Sequence, residues 1–146
     1  MGVKGRGLLS KCTRWGGMKV TALNQVYRCS VCGNVAEVLH SGVGTLVCCG
    51  KPMVLLVEKT EKDELKEKHV PVVTKTADGI RVAVGSLPHP MEEKHHIEWV
   101  QIIYDSHVCR TMLYPGKPAE ATFELAPAQA TTRAYCNIHG LWKTGV

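Results

Sequence analysis

The chain has 146 residues, 45% hydrophobic and 21% charged, an ordinary balance for a globular protein of one domain or two small ones. Its net charge of +5 lies in the first 19 residues, where Lys4, Arg6, Lys11, Arg14 and Lys19 stand without an acid; residues 20–146 balance at 13 basic against 13 acidic side chains. No apolar run approaches the roughly 18 residues of a spanning helix, the basic start lacks a signal peptide's apolar stretch, and a neutral body gives no electrostatic footprint for nucleic acid; we expect a cytoplasmic protein without a membrane or nucleic-acid partner.

Residues 1–19 read as a basic, disordered extension, of which 1–17 are expected to be dispensable. Residues 20–57 hold short β-like runs broken by Gly and Ser. A unit of 38 residues cannot bury a sufficient core and needs a metal or disulfides to fold. Seven cysteines without a secretion signal point to metal or redox chemistry. Cys29-x-x-Cys32-Gly33 has the form of a metal-binding turn, and the adjacent pair Cys48-Cys49 follows fifteen residues later. Four thiolates at this spacing fit a tetrahedral site. Side chains of adjacent residues tend to point apart, so a vicinal disulfide and unligated thiols are the alternatives. Zinc and iron suit four thiolates alike.

The run "EKTEKDELKEK" (58–68) has nine charged residues of eleven and reads as a solvated linker or a turn or two of exposed helix. From His69 to the end, "VPVVTKT", "IRVAVG", "HIEWVQIIYD", "HVCRTML", "ATFEL" and "TTRAYC" are short, rich in Val, Ile and Thr, and bounded by Gly, Pro and Asp. Such spacing predicts an antiparallel, immunoglobulin-like β-sandwich. Several histidines of this segment stand in turn-like contexts, "EKHVP", "LPHPMEEKHH" and "YCNIHG", where strand-end loops can gather residues distant in sequence.

In order and spacing, "YRCSVCGNVAEVLHSGVGTLVCCGKPMVLL", "EKHVP", "GSLPHPMEEKHHIEW" and "YCNIHGLWK" closely resemble desulfoferrodoxin, the two-iron superoxide reductase, over roughly residues 20–146. The resemblance implies a desulforedoxin-like domain whose Cys29, Cys32, Cys48 and Cys49 hold one iron. It implies a β-sandwich domain whose His69, His89, His95 and His139 surround a second iron, with Cys136 on its axis and one position open for superoxide. Glu67 and Lys68 match the family's loop residues near that position, Lys68 as a local attraction for the anion and Glu67 as a ligand to the oxidised iron. His96 stands where the family commonly carries an aromatic, so His95 is the expected ligand. His40 and His107 have no assigned role, and Cys109 is expected to be a buried structural thiol.

The implied reaction is one-electron reduction of superoxide to hydrogen peroxide without release of dioxygen. The thiolate pushes electron density onto the iron, and neutral imidazoles suit the ferrous state. The resemblance further implies a homodimer and a rubredoxin-like or other reductase as electron donor. The competing function is a non-enzymatic iron electron carrier, which leaves the open position and Lys68 without a purpose.

Overall fold

The computed structural model describes residues 19–125 and 127–145. The expected basic extension, with Cys12, lies outside them except for Lys19. Lys19 belongs to the folded chain: its carbonyl accepts the Gly44 N–H at 2.8 Å, and Val20 bridges to Val43. The chain divides into two compact units between Leu56 and Val57.

The first unit is built from strands of two or three residues. β1 (Val26–Arg28) pairs antiparallel with β2 (Val35–Glu37) and β5 (Val54–Leu55), while β3 (Val47–Cys48) and β4 (Lys51–Pro52) form a separate hairpin. Its buried apolar side chains are Val26, Cys29 and Val38 alone among the described residues. Three side chains cannot offset the ordering of so many residues. A metal held by the sulfur cluster described below would supply the missing cohesion.

The second unit is a sandwich of two antiparallel sheets, as expected. One sheet orders β10 (Glu120–Phe123), β7 (Gly79–Val84) and β6 (Pro71–Thr76); the other orders β12 (Gly140–Gly145), β11 (Thr131–Cys136), β8 (Ile97–Tyr104) and β9 (His107–Met112). Ile80, Val82, Val84, Ala121 and Phe123 from the first sheet meet Ile97, Val100, Ile102, Ala134 and Cys136 from the second. Period-two alternation puts Val100 and Ile102 on the core face, yet Ile97 has the opposite parity. The register between β8 and β11 explains it: Tyr135 pairs with Trp99 but Cys136 pairs with Ile97, so Glu98 is skipped. This bulge returns Ile97 to the core face, where Cys136 already lies by its alternation with Ala134.

The run 58–68 departs from the linker expected of it. Lys59 forms a parallel bridge with Trp142, its N–H donating to the Leu141 carbonyl at 2.9 Å and its carbonyl accepting the Lys143 N–H at 2.8 Å. Glu58 accepts from Arg133 Nη1 at 3.0 Å and from Lys143 Nζ at 2.6 Å. The start of the run is therefore part of the sandwich; its charge density hid a strand-like contact whose side chains are ion-paired. The end of the run is a single helical turn, α1 (Lys66–His69). Among the described residues no helix is long and apolar enough to cross a membrane.

Candidate metal centres

The first unit brings Cys29, Cys32, Cys48 and Cys49 together, with their sulfurs within 4.8 Å of one another. The Cys32–Cys48 and Cys48–Cys49 sulfur separations are 3.6 and 3.9 Å. A disulfide needs about 2.05 Å, so the vicinal pair is two thiols. Four sulfurs at about 2.3 Å from a shared tetrahedral ion would stand about 3.8 Å apart, and the observed separations bracket that value. The backbone answers how neighbouring cysteines reach one point: Cys49 has φ of 52°, the left-handed conformation that a side-chain-bearing residue rarely adopts. That turn re-aims its side chain toward the same centre as Cys48. The backbone N–H groups of Val31 and Cys32 point at the Cys29 sulfur from 3.4 and 3.5 Å. Hydrogen bonds from Cys32 first, then Val31, hold the Cys29 thiol down to about 6, while hydrogen bonds with Cys32 and its neighbours push Cys49 up to about 12. One thiolate is stabilised, and Cys48 and Cys49 resist ionising beside it. A cation at the centre removes that conflict.

In the second unit, His69, His89, His95, His139 and Cys136 converge, their ligating atoms also within 4.8 Å of one another. His69 closes α1, His89 and His95 lie in the loop between β7 and β8, Cys136 ends β11, and His139 lies in the turn before β12. The Nε2 atoms of His69 and His89 are 3.1 Å apart, and His139 Nδ1 lies 3.0 Å from His69 Nε2 and 3.2 Å from His95 Nε2. Neighbouring rings around this circuit have centroids 4.6–4.8 Å apart and stand edge to face, whereas His69 and His95 lie 6.5 Å apart across it. Equal edges and one longer diagonal describe a square, not a tetrahedron. Nitrogens about 2.1 Å from a central ion would stand about 3.0 Å apart along such edges, which is the spacing found. A sulfur within 4.8 Å of all four corners cannot lie in their plane, so Cys136 caps one face. Among the described residues the group holds no sixth donor.

Local contacts set each donor. His69 Nδ1 faces the Leu65 carbonyl at 2.8 Å, and His89 Nδ1 faces the Pro90 carbonyl at 2.6 Å. A proton held at Nδ1 leaves Nε2 as the lone pair aimed inward. The Leu65 carbonyl is presented by a left-handed backbone, with φ of 65°. Burial holds His89 down to about 4 and also lowers His69 and His139, so these three imidazoles are neutral near pH 7. Burial pushes the Cys136 thiol up, against the His139 N–H, which donates to the sulfur at 3.4 Å. A thiolate in this buried position calls for a cation beside it. The donor set of four imidazoles and one thiolate fits iron.

Of the adjacent histidines, His95 joins the group; His96 turns its Nδ1 to the Glu92 carbonyl at 3.0 Å. Glu67 and Lys68 stand on α1 immediately before His69, both exposed. Their backbone is tightly held: the Glu67 carbonyl accepts from Leu87 N–H at 2.8 Å and Ser86 Oγ at 3.2 Å. Gly85, at φ of +85°, lets the chain pass so close that a Cβ there would lie 2.7 Å from Lys68 Cα. Cys109 is only half-buried, against the sandwich core, and His107 stacks on Tyr104. Asn137 and Trp142 carry unforeseen roles. Asn137 bridges the loop of His95 to that of Cys136, and Trp142 stacks on His69 at 4.8 Å and 18°. Both stood inside the quoted "YCNIHGLWK" motif, which was the available signal.

Family models described as the N-terminal domain of desulfoferrodoxin and as desulfoferrodoxin match residues 21–56 and 61–145. A desulfoferrodoxin of Syntrophotalea carbinolica is 56% identical over 120 residues, 82% of this chain and 94% of that one. A superoxide reductase of Pyrococcus abyssi is 30% identical over 99 residues, 55% of this chain and 86% of that protein. The crystal structure of the superoxide reductase from Treponema pallidum shares the fold, with a TM-score of 0.65 at 24% identity over 82% of this chain and 96% of that one. The donor sets agree with the family's two iron sites, one of four cysteines and one of four histidines and a cysteine. Matching models in both units, and identity maintained along nearly the whole of a relative, leave one assignment: the chain belongs to the desulfoferrodoxin family.

Proposed function

We propose that this chain is a superoxide reductase, which adds one electron and two protons to each superoxide and releases hydrogen peroxide without dioxygen. The observation that carries the reading is the five-donor group: a square of imidazole nitrogens capped on one face by a thiol, with no sixth donor among the described residues. Iron held there supplies a one-electron reductant with one position left for the substrate. Cys136, lying over one face, leaves the other for the anion, and its sulfur is the donor that makes the centre electron-rich. The His139 N–H at that sulfur tempers its donor strength. Lys68 attracts superoxide locally, since the body of the protein has no net charge to do so. Glu67 serves the oxidised state as a ligand. Its backbone tether to Ser86 and Leu87 supports a defined position for the turn that carries both side chains.

Electrons come from a rubredoxin-like or other reductase. Exposure of Cys32 and Cys49 supports the four-cysteine group as a point of contact. A homodimer fits the many apolar side chains left exposed in the first unit, among them Val31, Leu39, Val43 and Val47. The deciding experiment counts products. Iron-loaded, pre-reduced protein is mixed with superoxide without oxygen, and one peroxide per superoxide with no dioxygen is expected. Half a dioxygen per superoxide would make the protein a dismutase, and no reaction would leave it an electron carrier.

A further inference from the structure

Lys59 differs from the other basic residues of the charged run: Lys62, Lys66 and Lys68 are exposed, whereas Lys59 is half-buried and pinned by its own backbone. Its Nζ donates to the carbonyl of His139 at 3.0 Å and stands over the Trp142 ring, 5.2 Å from the centroid. Trp142 in turn lies flat against His69. One ammonium thus touches the main chain of one imidazole donor and, through a single ring, the side chain of its neighbour in the square. We propose that Lys59 is a positioning residue of the five-donor centre, holding His139 and the Trp142–His69 stack in place and fixing a positive charge that raises the reduction potential of the iron bound there.

The electrostatics follow from proximity. A fixed cation disfavours the ferric state more than the ferrous state, because the ferric centre carries one more positive charge. The backbone pairing on both sides of Lys59 anchors the base of the side chain, and the hydrogen bond from Nζ to the His139 carbonyl keeps that charge from drifting into solvent, where it would be screened. The cation–π contact adds a preference for one side-chain position. Sequence alone hides this role, because Lys59 stands among eight other charged residues in the run 58–68.

The inference rests on the reading of this centre as a redox-active iron site, and its test separates the two. The midpoint potential of the second centre is measured by optical redox titration on iron-loaded full-length protein, with the thermal midpoint recorded alongside. Lys59→Met keeps the apolar stem over Trp142 and removes the charge; Lys59→Arg keeps the charge. The expected result is a potential shifted negative in Lys59→Met and returned toward the wild-type value in Lys59→Arg. Should Lys59→Met lose its cooperative melt, Lys59→Gln, which can still donate to a carbonyl, is read in the same way. An unshifted potential in the folded neutral variant overturns the proposal. So does a shift in Lys59→Arg as large as in Lys59→Met, which would make the effect one of packing. A wild-type chain that holds no redox-active iron at this centre would sink the functional reading and this inference together.

Discussion

Asn137 holds His96 from two sides: its Oδ1 accepts the His96 N–H at 3.1 Å, and its own backbone N–H donates to the His96 carbonyl at 3.2 Å. Its Nδ2 also donates to the Lys94 carbonyl at 3.1 Å. The residue between those two anchor points is His95, and the residue before Asn137 is Cys136. One amide side chain thus ties a histidine donor from the loop before β8 to the sulfur donor at the end of β11.

Asn137→Ala removes the side-chain hydrogen bonds to His96 and Lys94, a loss of about 2 kcal/mol at roughly 1 kcal/mol each. The more telling effect is on metal. The variant should lose iron from the second centre to a chelator faster than wild type, while the four-cysteine centre keeps its metal at the wild-type rate. Asn137→Asp retains the acceptor for His96 and should restore part of the retention. Equal chelator kinetics in Asn137→Ala and wild type would reduce Asn137 to an ordinary loop residue.

Gly85→Ala tests how closely α1 is held. A methyl at that position would meet the Leu87 carbonyl oxygen at 2.4 Å and Lys68 backbone atoms at 2.7 Å, all main chain, so no side chain can swing aside. The left-handed backbone adds its own penalty of about 1–2 kcal/mol for a residue with a Cβ. We expect a destabilisation of about 3 kcal/mol or more once the clash is included, read as a lowered thermal midpoint. A folded Gly85→Ala protein should also have an altered spectrum at the second centre, because His69 follows Lys68 directly.

Glu58 sets a pH dependence with a definite sign. Burial alone would raise its carboxyl, but hydrogen bonds from Lys143 and Arg133, with their charges, hold it below the usual carboxylate range. A group whose folded-state value is depressed stabilises the fold above its unfolded value and loses that contribution as pH falls through the folded one. The thermal midpoint of wild type should therefore fall below about pH 4.5 more steeply than that of Glu58→Gln. At neutral pH, Glu58→Ala should cost about 3 kcal/mol, because the buried Arg133 guanidinium keeps Gln101 but loses its carboxylate. Parallel pH curves for wild type and Glu58→Gln would show that the ion pair carries no linkage.

What could be read from the sequence follows its physics. Strand patterns of Val, Ile and Thr gave the sandwich, because period-two burial is local information. The donors were legible because Cys29, Cys32, Cys48, Cys49, Cys136 and the histidines are rare residue types in a conspicuous order. The resemblance to a known family turned that order into two sets. What stayed hidden were contacts made by common residues. Glu58 and Lys59 looked like solvent-facing charge, since nothing local announces a partner 75 or more residues away in Arg133, Trp142 or Lys143. The left-handed turn at Cys49 was equally invisible. The sequence raised the problem of two adjacent thiols, and only the backbone showed its solution.

The two centres should be separable. Cys32→Ser removes a sulfur that stands 3.6 Å from Cys48 in a unit with few other buried groups. It should abolish the visible absorption of the first centre and lower the stability of that unit. The second centre draws all five donors from residues 69–139 and should still be oxidised by superoxide at close to the wild-type rate. Loss of that reaction in a variant whose sandwich remains folded would mean that the first centre is part of the chemistry.

Lys68 offers the sharpest test of how superoxide is drawn in. Residues 20–146 carry equal numbers of acidic and basic side chains, so no long-range field of the whole body favours an anion. Attraction must then be local, and Lys68 stands beside a donor on a turn whose main chain is clamped by Gly85, Ser86 and Leu87. Its side chain is exposed, so solvent and salt screen it. The expected effect of Lys68→Ala is a drop of about tenfold in the second-order rate at low salt, near the lower end of what local steering supplies. Wild type should slow as ionic strength rises, and Lys68→Ala should show a flatter dependence, so that the two rates approach each other at high salt. Glu67→Ala should not reproduce this pattern, because removing a negative charge cannot weaken the capture of an anion. If Lys68→Ala captured superoxide as fast as wild type at low salt, the approach of the anion would have to be governed by something other than this lysine.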